Sequence, residues 1–195
     1  MAVTLNASTS SGFIQTADTS GELNLQSNGT TKLSVLSTGV SGTLVQGTAV
    51  ASTSGTSIDF TGIPSWVKRI TVMFDGVSTN GTSLVCIQLG DSGGIETTGY
   101  NGGGTNQSPT YAVNTVGYNL MGQIVTNAAI MGHAVLTNIS GNNWVLSAGV
   151  QISVSNMAAA GGSKTLSATL DRIRITTVNG TDAFDAGSIN IQYEG

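Results

Sequence analysis

The stretch Lys68-Arg-Ile-Thr-Val-Met-Phe74 carries large apolar side chains at every second position. Successive side chains of an extended chain point to opposite faces, so Ile70, Val72 and Phe74 share one face and the residues between them share the other. This period of two predicts a β-strand with one face buried in a core.

Segments of the same kind follow along the chain, separated by glycine, asparagine and serine, which favour turns. Residues 144–154 carry large apolar side chains at even positions, namely Trp144, Leu146, Val150, Ile152 and Val154. The further candidate strands are residues 56–61, 83–89, 110–125, 130–136, 165–170, 172–178 and 188–193. Such closely spaced short strands predict an all-β fold, an antiparallel β-sandwich of the jelly-roll type. Residues 156–160 are the one helix candidate, and the double glycine at 161–162 favours a loop there instead.

The composition supports an all-β chain. Its 195 residues include 27 glycines and 27 threonines, and strong helix formers such as lysine, arginine and glutamate are scarce. Only 8% of the residues are charged, against about 25% in a typical globular protein. Because 39% are hydrophobic, the chain has enough apolar surface to build a core, which argues against disorder.

Charge and hydropathy patterning exclude several classes of function. The net charge is −4 and only six residues are basic, which is too few to neutralise a phosphate backbone. No apolar run approaches the roughly 18 residues of a membrane span, and the N-terminus lacks the charge and apolar pattern of a signal peptide. We therefore expect no nucleic-acid partner and no membrane insertion. The single cysteine, Cys86, has apolar neighbours that predict a buried thiol in a protein made in a cytoplasm.

The composition changes near residue 45, because both tryptophans, all four tyrosines and three of the four phenylalanines follow residue 59. This change predicts an N-terminal arm over residues 1–45 and a β domain over residues 46–195. Two alternating runs on either side of Asn28-Gly29 predict a β-hairpin in the arm. The apolar stripe that would anchor the arm consists of Leu23, Leu25, Leu33 and Val35.

Two loop lengths fit this hairpin. A two-residue Asn28-Gly29 loop would place Leu25 opposite Lys32, whereas a three-residue loop would place Leu25 opposite Leu33. Pairing of apolar side chains across the strands favours the longer loop. An isolated hairpin is marginal in water, so the stripe is expected to pack on other copies, on the β domain or on another protein.

The string Gly90-Asp-Ser-Gly-Gly94 resembles the sequence around the nucleophile of trypsin-like serine proteases. A serine nucleophile needs a histidine base oriented by a carboxylate. The one histidine, His133, follows Ser92 and lies in an apolar run without a nearby carboxylate, which is typical of a core or interface residue. The string is therefore interpreted as a turn after a strand that ends at Leu89, and we expect no catalytic residues and no enzyme.

Two further segments are candidates for ligand binding. The run Asn179-Gly-Thr-Asp-Ala-Phe-Asp185 offers oxygens for a calcium ion, but it lacks the spacing and the bidentate glutamate of an EF-hand, so a turn with exposed acids is expected. One cysteine and one histidine give no chelating cluster, and we expect no metal and no cofactor. Residues 99–109 form the most loop-like stretch. The side chains suited to a glycan there are Tyr100, Asn101, Asn106 and Tyr111.

Three blocks resemble one protein family. They are the segment that begins Phe60-Thr-Gly-Ile-Pro-Ser-Trp and runs to residue 78, the segment Ile87-Gln-Leu-Gly-Asp-Ser-Gly-Gly94, and residues 170–194, which begin Leu170-Asp-Arg-Ile-Arg-Ile. They are similar to segments in the C-terminal domains of tail fibres and head-decorating proteins of tailed bacteriophages. The arm resembles short fibre or collar repeats less specifically.

This resemblance implies a non-enzymatic, homotrimeric component of the virion surface. Because only about 45 residues precede the β domain, a capsid decoration (cement) protein or a head fibre is expected, held by the arm on the major capsid protein or another virion protein. The alternative is a short tail fibre, a receptor-binding adhesin that recognises glycans of the host surface.

Overall fold

A computed structural model of the chain describes residues 23–27, 29–36, 39–41, 44–106, 111–123 and 128–195. These residues form strands, turns and irregular connections, and none of them lies in a helix. Among them there is accordingly no helix able to cross a membrane. The chain divides into two compact units, residues 1–43 and residues 44–195.

The first unit contains a small antiparallel sheet of three strands. They are β1 (Leu23–Ser27), β2 (Thr30–Leu36) and β3 (Gly39–Ser41). Leu23 pairs with Val35 and Leu25 with Leu33, as the apolar pattern predicts. The expectation of a three-residue loop is wrong, because Ser27 pairs directly with Thr30.

A β-bulge reconciles the two hairpin signals. The register shifts after Leu25, since Gln26 pairs with Thr31 while Leu25 pairs with Leu33. Lys32 is thus the extra residue on its strand. The bulge keeps Leu25 paired with Leu33 and still permits a tight turn at Gly29, which has a positive φ of +72°.

The second unit consists of two antiparallel sheets. The nine-stranded sheet contains β4 (Leu44–Gln46), β5 (Val50–Ala51), β7 (Arg69–Thr79), β10 (Asn101–Asn106), β11 (Tyr111–Asn114), β13 (Ile130–Ser140), β14 (Asn143–Ser153), β15 (Asn156–Thr165) and β17 (Phe184–Glu194). The five-stranded sheet contains β6 (Ser57–Thr61), β8 (Val85–Asp91), β9 (Gly94–Ile95), β12 (Tyr118–Asn119) and β16 (Arg172–Thr177).

The larger sheet combines the consecutive pairs β10-β11, β13-β14 and β14-β15 with pairings between strands that are distant in the sequence. In the nine-stranded sheet the strand order is β11-β10-β15-β14-β13-β7-β17-β4, with β5 also on β17, and in the five-stranded sheet it is β12-β8-β16-β6, with β9 on β8. Leu44 and Val45, which the sequence assigns to the arm, pair with Glu194 and Tyr193 of the last strand. The connection from β6 to β7 crosses between the sheets, and its buried residues Ile63 and Val67 close one end of the core.

The all-β, antiparallel sandwich is confirmed. Ile70, Val72 and Phe74 are buried on the inner side of β7, while Arg69 faces outward, as the alternation predicts. Val85, Ile87 and Leu89 of β8 are buried in the same core. The hydroxyl of Tyr118 in the smaller sheet donates to the carbonyl of Trp144 in the larger one, 3.0 Å away. The jelly-roll connectivity and the trimer stay predictions.

Two expectations about glycine-rich segments are wrong. Residues 101–106, expected in a loop, form β10, and residues 107–109 of that loop lie outside the described part of the chain. Residues 156–160, expected to be a helix or loop, begin β15, which continues through the double glycine. Each glycine of β10 therefore occupies a paired position of a sheet.

Close approach of neighbouring groups explains these glycines. A Cβ atom at Gly104 would lie 2.7 Å from the carbonyl oxygen of Met121, and one at Gly162 would lie 3.0 Å from the ring of Tyr118. On the opposite side of β10, a Cβ at Gly103 would lie 2.2 Å from the hydroxyl of Tyr111. Side chains would therefore hold the two sheets apart here, and glycine in the strand allows contact through the backbone.

The remaining strand predictions need smaller corrections. Val154 lies exposed in the turn after β14, because the strand ends at Ser153. The strand expected at residues 165–170 does not form. Thr165 is the last residue of β15, and residues 166–170 belong to the connection that follows. Within residues 110–125 the structure describes two short strands, β11 and β12, which belong to different sheets. The ends of that segment, Thr110 and residues 124–125, lie outside the described residues.

Two glycine-to-alanine changes test the role of close backbone approach. Gly104→Ala places a methyl group against the backbone of Met121, and we expect it to lower the free energy of unfolding by about 1–3 kcal/mol. Gly149→Ala, in β14, meets no atom within 4 Å and is expected to change stability by less than about 1 kcal/mol. Urea denaturation of both variants measures the difference, and equal losses would contradict this explanation.

Candidate functional site

The four side chains predicted to bind a glycan do not form one site. Tyr100 is buried, and its hydroxyl accepts a hydrogen bond from the backbone N–H of Leu89 at 2.6 Å. The same hydroxyl donates to the carbonyl oxygen of Glu96 at 3.0 Å. Its ring meets that of Tyr118 edge to face, with centroids 5.0 Å apart. Tyr100 therefore belongs to the core and extends the hydrogen bonding of β8.

Asn106 also points inward. Its side-chain oxygen accepts from the backbone N–H of Gly122 at 2.9 Å, and its amide nitrogen donates to the carbonyl of Gln123 at 3.1 Å. A side chain that bonds both a backbone donor and a backbone acceptor replaces a strand partner. Asn106 thus fixes the segment that follows β12 against the end of β10.

Asn101 and Tyr111 lie on the outer face of the nine-stranded sheet. Asn101 shares its face of β10 with Thr105, which pairs with Tyr111. Asn101 lies four residues from Thr105 along β10, which is about 13 Å at 3.3 Å per residue. The exposed Tyr111 ring lies across Gly103. These two residues share a surface with each other but not with Tyr100 or Asn106.

A polar cluster between the two sheets was missed by the sequence analysis. Lys164 of β15 has only 6% of its side chain exposed, and its Nζ lies 2.5 Å from Oε2 of Glu96. The same Nζ lies 5.4 Å from the ring centre of Tyr100, which permits a cation–π interaction. The other carboxylate oxygen of Glu96 accepts from the backbone N–H of Ser167 at 2.7 Å. Lysine in a strand of small residues gave no sequence signal for this pairing.

Asp91 completes this cluster. Its Oδ2 accepts from the hydroxyl of Ser167 at 2.6 Å, and its Oδ1 accepts from the backbone N–H of Gly93 at 2.8 Å. These hydrogen bonds hold the pKa of Asp91 below its ordinary value. Burial raises the pKa of Glu96, but hydrogen bonds from Lys164 and Ser167 outweigh it, so that this pKa is also lowered. The arrangement keeps both carboxylates ionised and joins the sheets.

The interpretation of Gly90–Gly94 as a turn is confirmed. Gly90 pairs with Ile95 and Asp91 with Gly94, so the chain reverses at Ser92 and Gly93. Ser92 is exposed in this turn of the smaller sheet, whereas His133 is exposed on the outer face of the larger sheet. His133 is therefore not a core residue, and its assignment as an interface residue stays a prediction. The structure places the two residues on different sheets, and Asp91 is bonded to Ser167.

The candidate calcium loop is a hydrogen-bonded turn. The Asn179 amide donates to Oδ1 of Asp182 at 2.7 Å, and the backbone N–H of Ser83 donates to Oδ2 at 2.8 Å. The hydroxyl of Ser78 donates a hydrogen bond to Oδ1 of Asp185. Within the described ranges, no three His, Cys, Asp or Glu side chains are grouped as metal ligands. The oxygens of this segment thus stabilise the connection between β16 and β17.

The buried thiol is confirmed. Cys86 has no exposed surface in β8, and burial raises the pKa of its thiol to about 12. A thiol with this pKa is protonated at neutral pH and unreactive as a nucleophile.

In the first unit the predicted anchoring residues lie in adjacent strands, where Leu25 is exposed and Leu33 is half-buried.

A comparison with protein-family models, curated proteins and solved structures found no match for this chain.

Two tyrosine-to-phenylalanine changes distinguish the inner from the outer residue of the predicted glycan set. Tyr100→Phe leaves the buried N–H of Leu89 without its partner, and we expect a loss of about 1–3 kcal/mol in unfolding free energy. Tyr111→Phe, at an exposed ring, is expected to change it by less than about 0.5 kcal/mol. Chemical denaturation compares the two, and a larger loss at Tyr111 would contradict the placement.

The Asp91 hydrogen bonds predict a pH dependence of stability. Because its folded-state pKa is lowered, the stabilisation is complete above the unfolded value of about 3.9 and is lost as the pH falls through the folded value. We expect Asp91→Asn to be less stable than the wild type at pH 7 and the difference to shrink below about pH 4. The same change at the exposed Asp75 is the control. A difference that stays constant between pH 7 and pH 2.5 in urea titrations would argue against it.

Proposed function

We propose that this chain is a structural, non-enzymatic protein of a tailed-bacteriophage particle. It is made in the host cytoplasm and displayed on the virion surface as a homotrimer, which decorates the capsid or forms a head fibre. Residues 1–45 anchor it to the major capsid protein or another virion protein, and a jelly-roll-like β domain projects outward.

One observation carries the proposal: the three blocks that resemble phage domains form neighbouring strands. Residues 60–78 include all but the last residue of β7, and residues 170–194 include β17, its partner in the larger sheet. Residues 87–94 include most of β8, which pairs with β16 of the third block. The resemblance therefore covers two adjacent strands of the larger sheet and the two central strands of the smaller one. This supports a shared scaffold more strongly than a likeness confined to surface loops would.

The polar interior is consistent with a structural role. Every buried side-chain nitrogen and oxygen atom of the described residues has a hydrogen-bond partner. Two outward-facing ion pairs, Arg174 with Asp59 and Arg69 with Glu194, also join neighbouring strands. Groups bonded to each other in this way rigidify a scaffold.

The arm supports the anchoring part of the proposal. An apolar side chain that stays exposed on a small sheet can bury its surface against an outside partner. Leu25, which pairs with Leu33, has 43% of its surface exposed. Such residues are suited to packing on a shell protein.

A second function, binding of host glycans by a short tail fibre, is favoured by one surface. The exposed Trp66 lies against Tyr193, with ring centroids 5.8 Å apart. Beside Tyr193 is a groove with a volume of about 250 Å³, whose lining includes Thr48 and Thr61. Aromatic rings next to hydrogen-bonding groups are suited to the apolar faces and hydroxyls of a sugar.

The location and copy number in the particle test the proposal. We expect antibody labelling and image reconstruction of the encoding phage to show many copies over the shell, grouped in threes. A few copies at the tail tip would favour the glycan-binding function, and absence from the particle would contradict both.

A pair of variants tests the anchor. Leu25→Lys puts a charge in the apolar stripe and is expected to reduce incorporation into particles at least tenfold. Val178→Lys, at a valine with 39% exposure in the second unit, is the matched control and should be incorporated normally. Equal incorporation of both variants, measured by quantitative blotting of purified particles, would place the anchor elsewhere.

A further inference from the structure

We infer that one corner of the nine-stranded sheet is the surface through which copies of this chain pack on each other. The corner patch consists of Tyr111 and Val113 on β11 and Met157 on β15. Their exposures are 64%, 67% and 48%, which are high values for large apolar side chains. All three face outward from the same side of the sheet.

The register brings these residues together. Tyr111 pairs with Thr105, which in turn pairs with Ala159, so that β11, β10 and β15 lie side by side. Met157 is two residues from Ala159 on the same face of β15. Since strands are about 4.8 Å apart, the whole patch lies within about 16 Å. The Tyr111 ring covers Gly103, which makes this part of the face flat and apolar.

The same corner is also the edge of the sheet. Among the described residues β11 is the last strand in the order, so one side of its backbone has no strand partner. Proteins protect such edges with charged residues, proline or a covering element, because bare edges associate. The strand Tyr-Ala-Val-Asn contains neither a charge nor a proline. An uncharged, apolar edge is expected to be covered in the working protein.

Charge points to a second copy as the covering element. Over the central rows of the outer face, from β17 across to β11, Arg69 and Glu194 pair with each other at 3.1 Å, and the exposed Asp75 of β7 leaves one uncompensated charge. A face with a single uncompensated charge offers little to a highly charged partner. It also meets little like-charge repulsion from another copy of itself.

The size of the face is sufficient. These rows contain about twenty outward-facing residues, each covering about 32 Å² at ordinary strand and residue spacings, or about 650 Å² in total. Specific, stable protein interfaces bury about 600–1,000 Å² on each partner. The corner patch and the adjoining face are therefore large enough for contact with a neighbouring copy. Only the number of copies, three, rests on the proposed function.

Matched valine variants test this surface in the full chain. Sedimentation of the wild type is expected to give about three times the chain mass of 19.7 kDa at micromolar concentration. Val113→Lys should raise the dissociation constant for self-association at least tenfold. Val178→Lys, the same change in the turn after β16, should leave it unchanged.

A cross-linking measurement keeps the inference testable if Val113→Lys does not fold. Val113→Cys and Val178→Cys introduce one accessible thiol each, while the native Cys86 is buried and does not react. With a short bismaleimide, Val113→Cys should give covalently linked chains and Val178→Cys should not. No linkage at Val113, or equal linkage at both positions, would overturn the inference.

The outcomes separate this inference from the proposed function. A trimer that is insensitive to Val113→Lys overturns the corner as the interface but leaves the virion proposal standing. If the variant keeps its self-association and instead loses incorporation into particles, another virion protein covers the corner. That result also overturns the inference that copies of this chain pack on each other there. A wild-type chain that stays monomeric overturns both the corner and the trimer.

Discussion

The close approach of two backbones determines how this sandwich is assembled. Where β10 and β15 lie over the segment from Tyr118 to Met121, a Cβ at Gly104 would lie 2.7 Å from a carbonyl oxygen. Without side chains in between, Tyr118 reaches the carbonyl of Trp144 and packs edge to face on Tyr100. That position of Tyr100 brings its hydroxyl to β8 and its ring under Lys164. The polar cluster therefore depends on glycine in the strands as much as on its own charges.

The sequence predicts those parts of the fold in which apolar residues alternate. The inner faces of β7, β8 and β16 follow from the period of two, because burial of one face is the main contribution to strand formation there. It does not predict β10 or the first half of β15, since glycine and alanine carry no pattern of hydrophobicity. Their strand conformation is determined by partners distant in the sequence, such as Met121.

The same limit applies to the candidate site. Tyr100 directly precedes β10 and Asn106 ends it, and both lie inside because they are an even number of residues apart along this extended segment. That parity has meaning only when the segment is known to form a strand. Lys164 and Glu96 meet across two sheets, and nothing local in the sequence links them. The turn at Gly90–Gly94 was predictable because Asp91 and Gly93 bond to each other within it.

The two tryptophans give this protein an intrinsic fluorescence that reports on its folded state. Trp144 is buried at the sheet interface, while Trp66 stands at the surface beside Tyr193. An indole ring shielded from water emits at shorter wavelengths than a solvated one, so the folded chain has two spectrally distinct emitters. Quenching by a soluble ion reaches only the exposed ring. The difference between quenched and unquenched spectra therefore follows the interior and the surface separately, without any label.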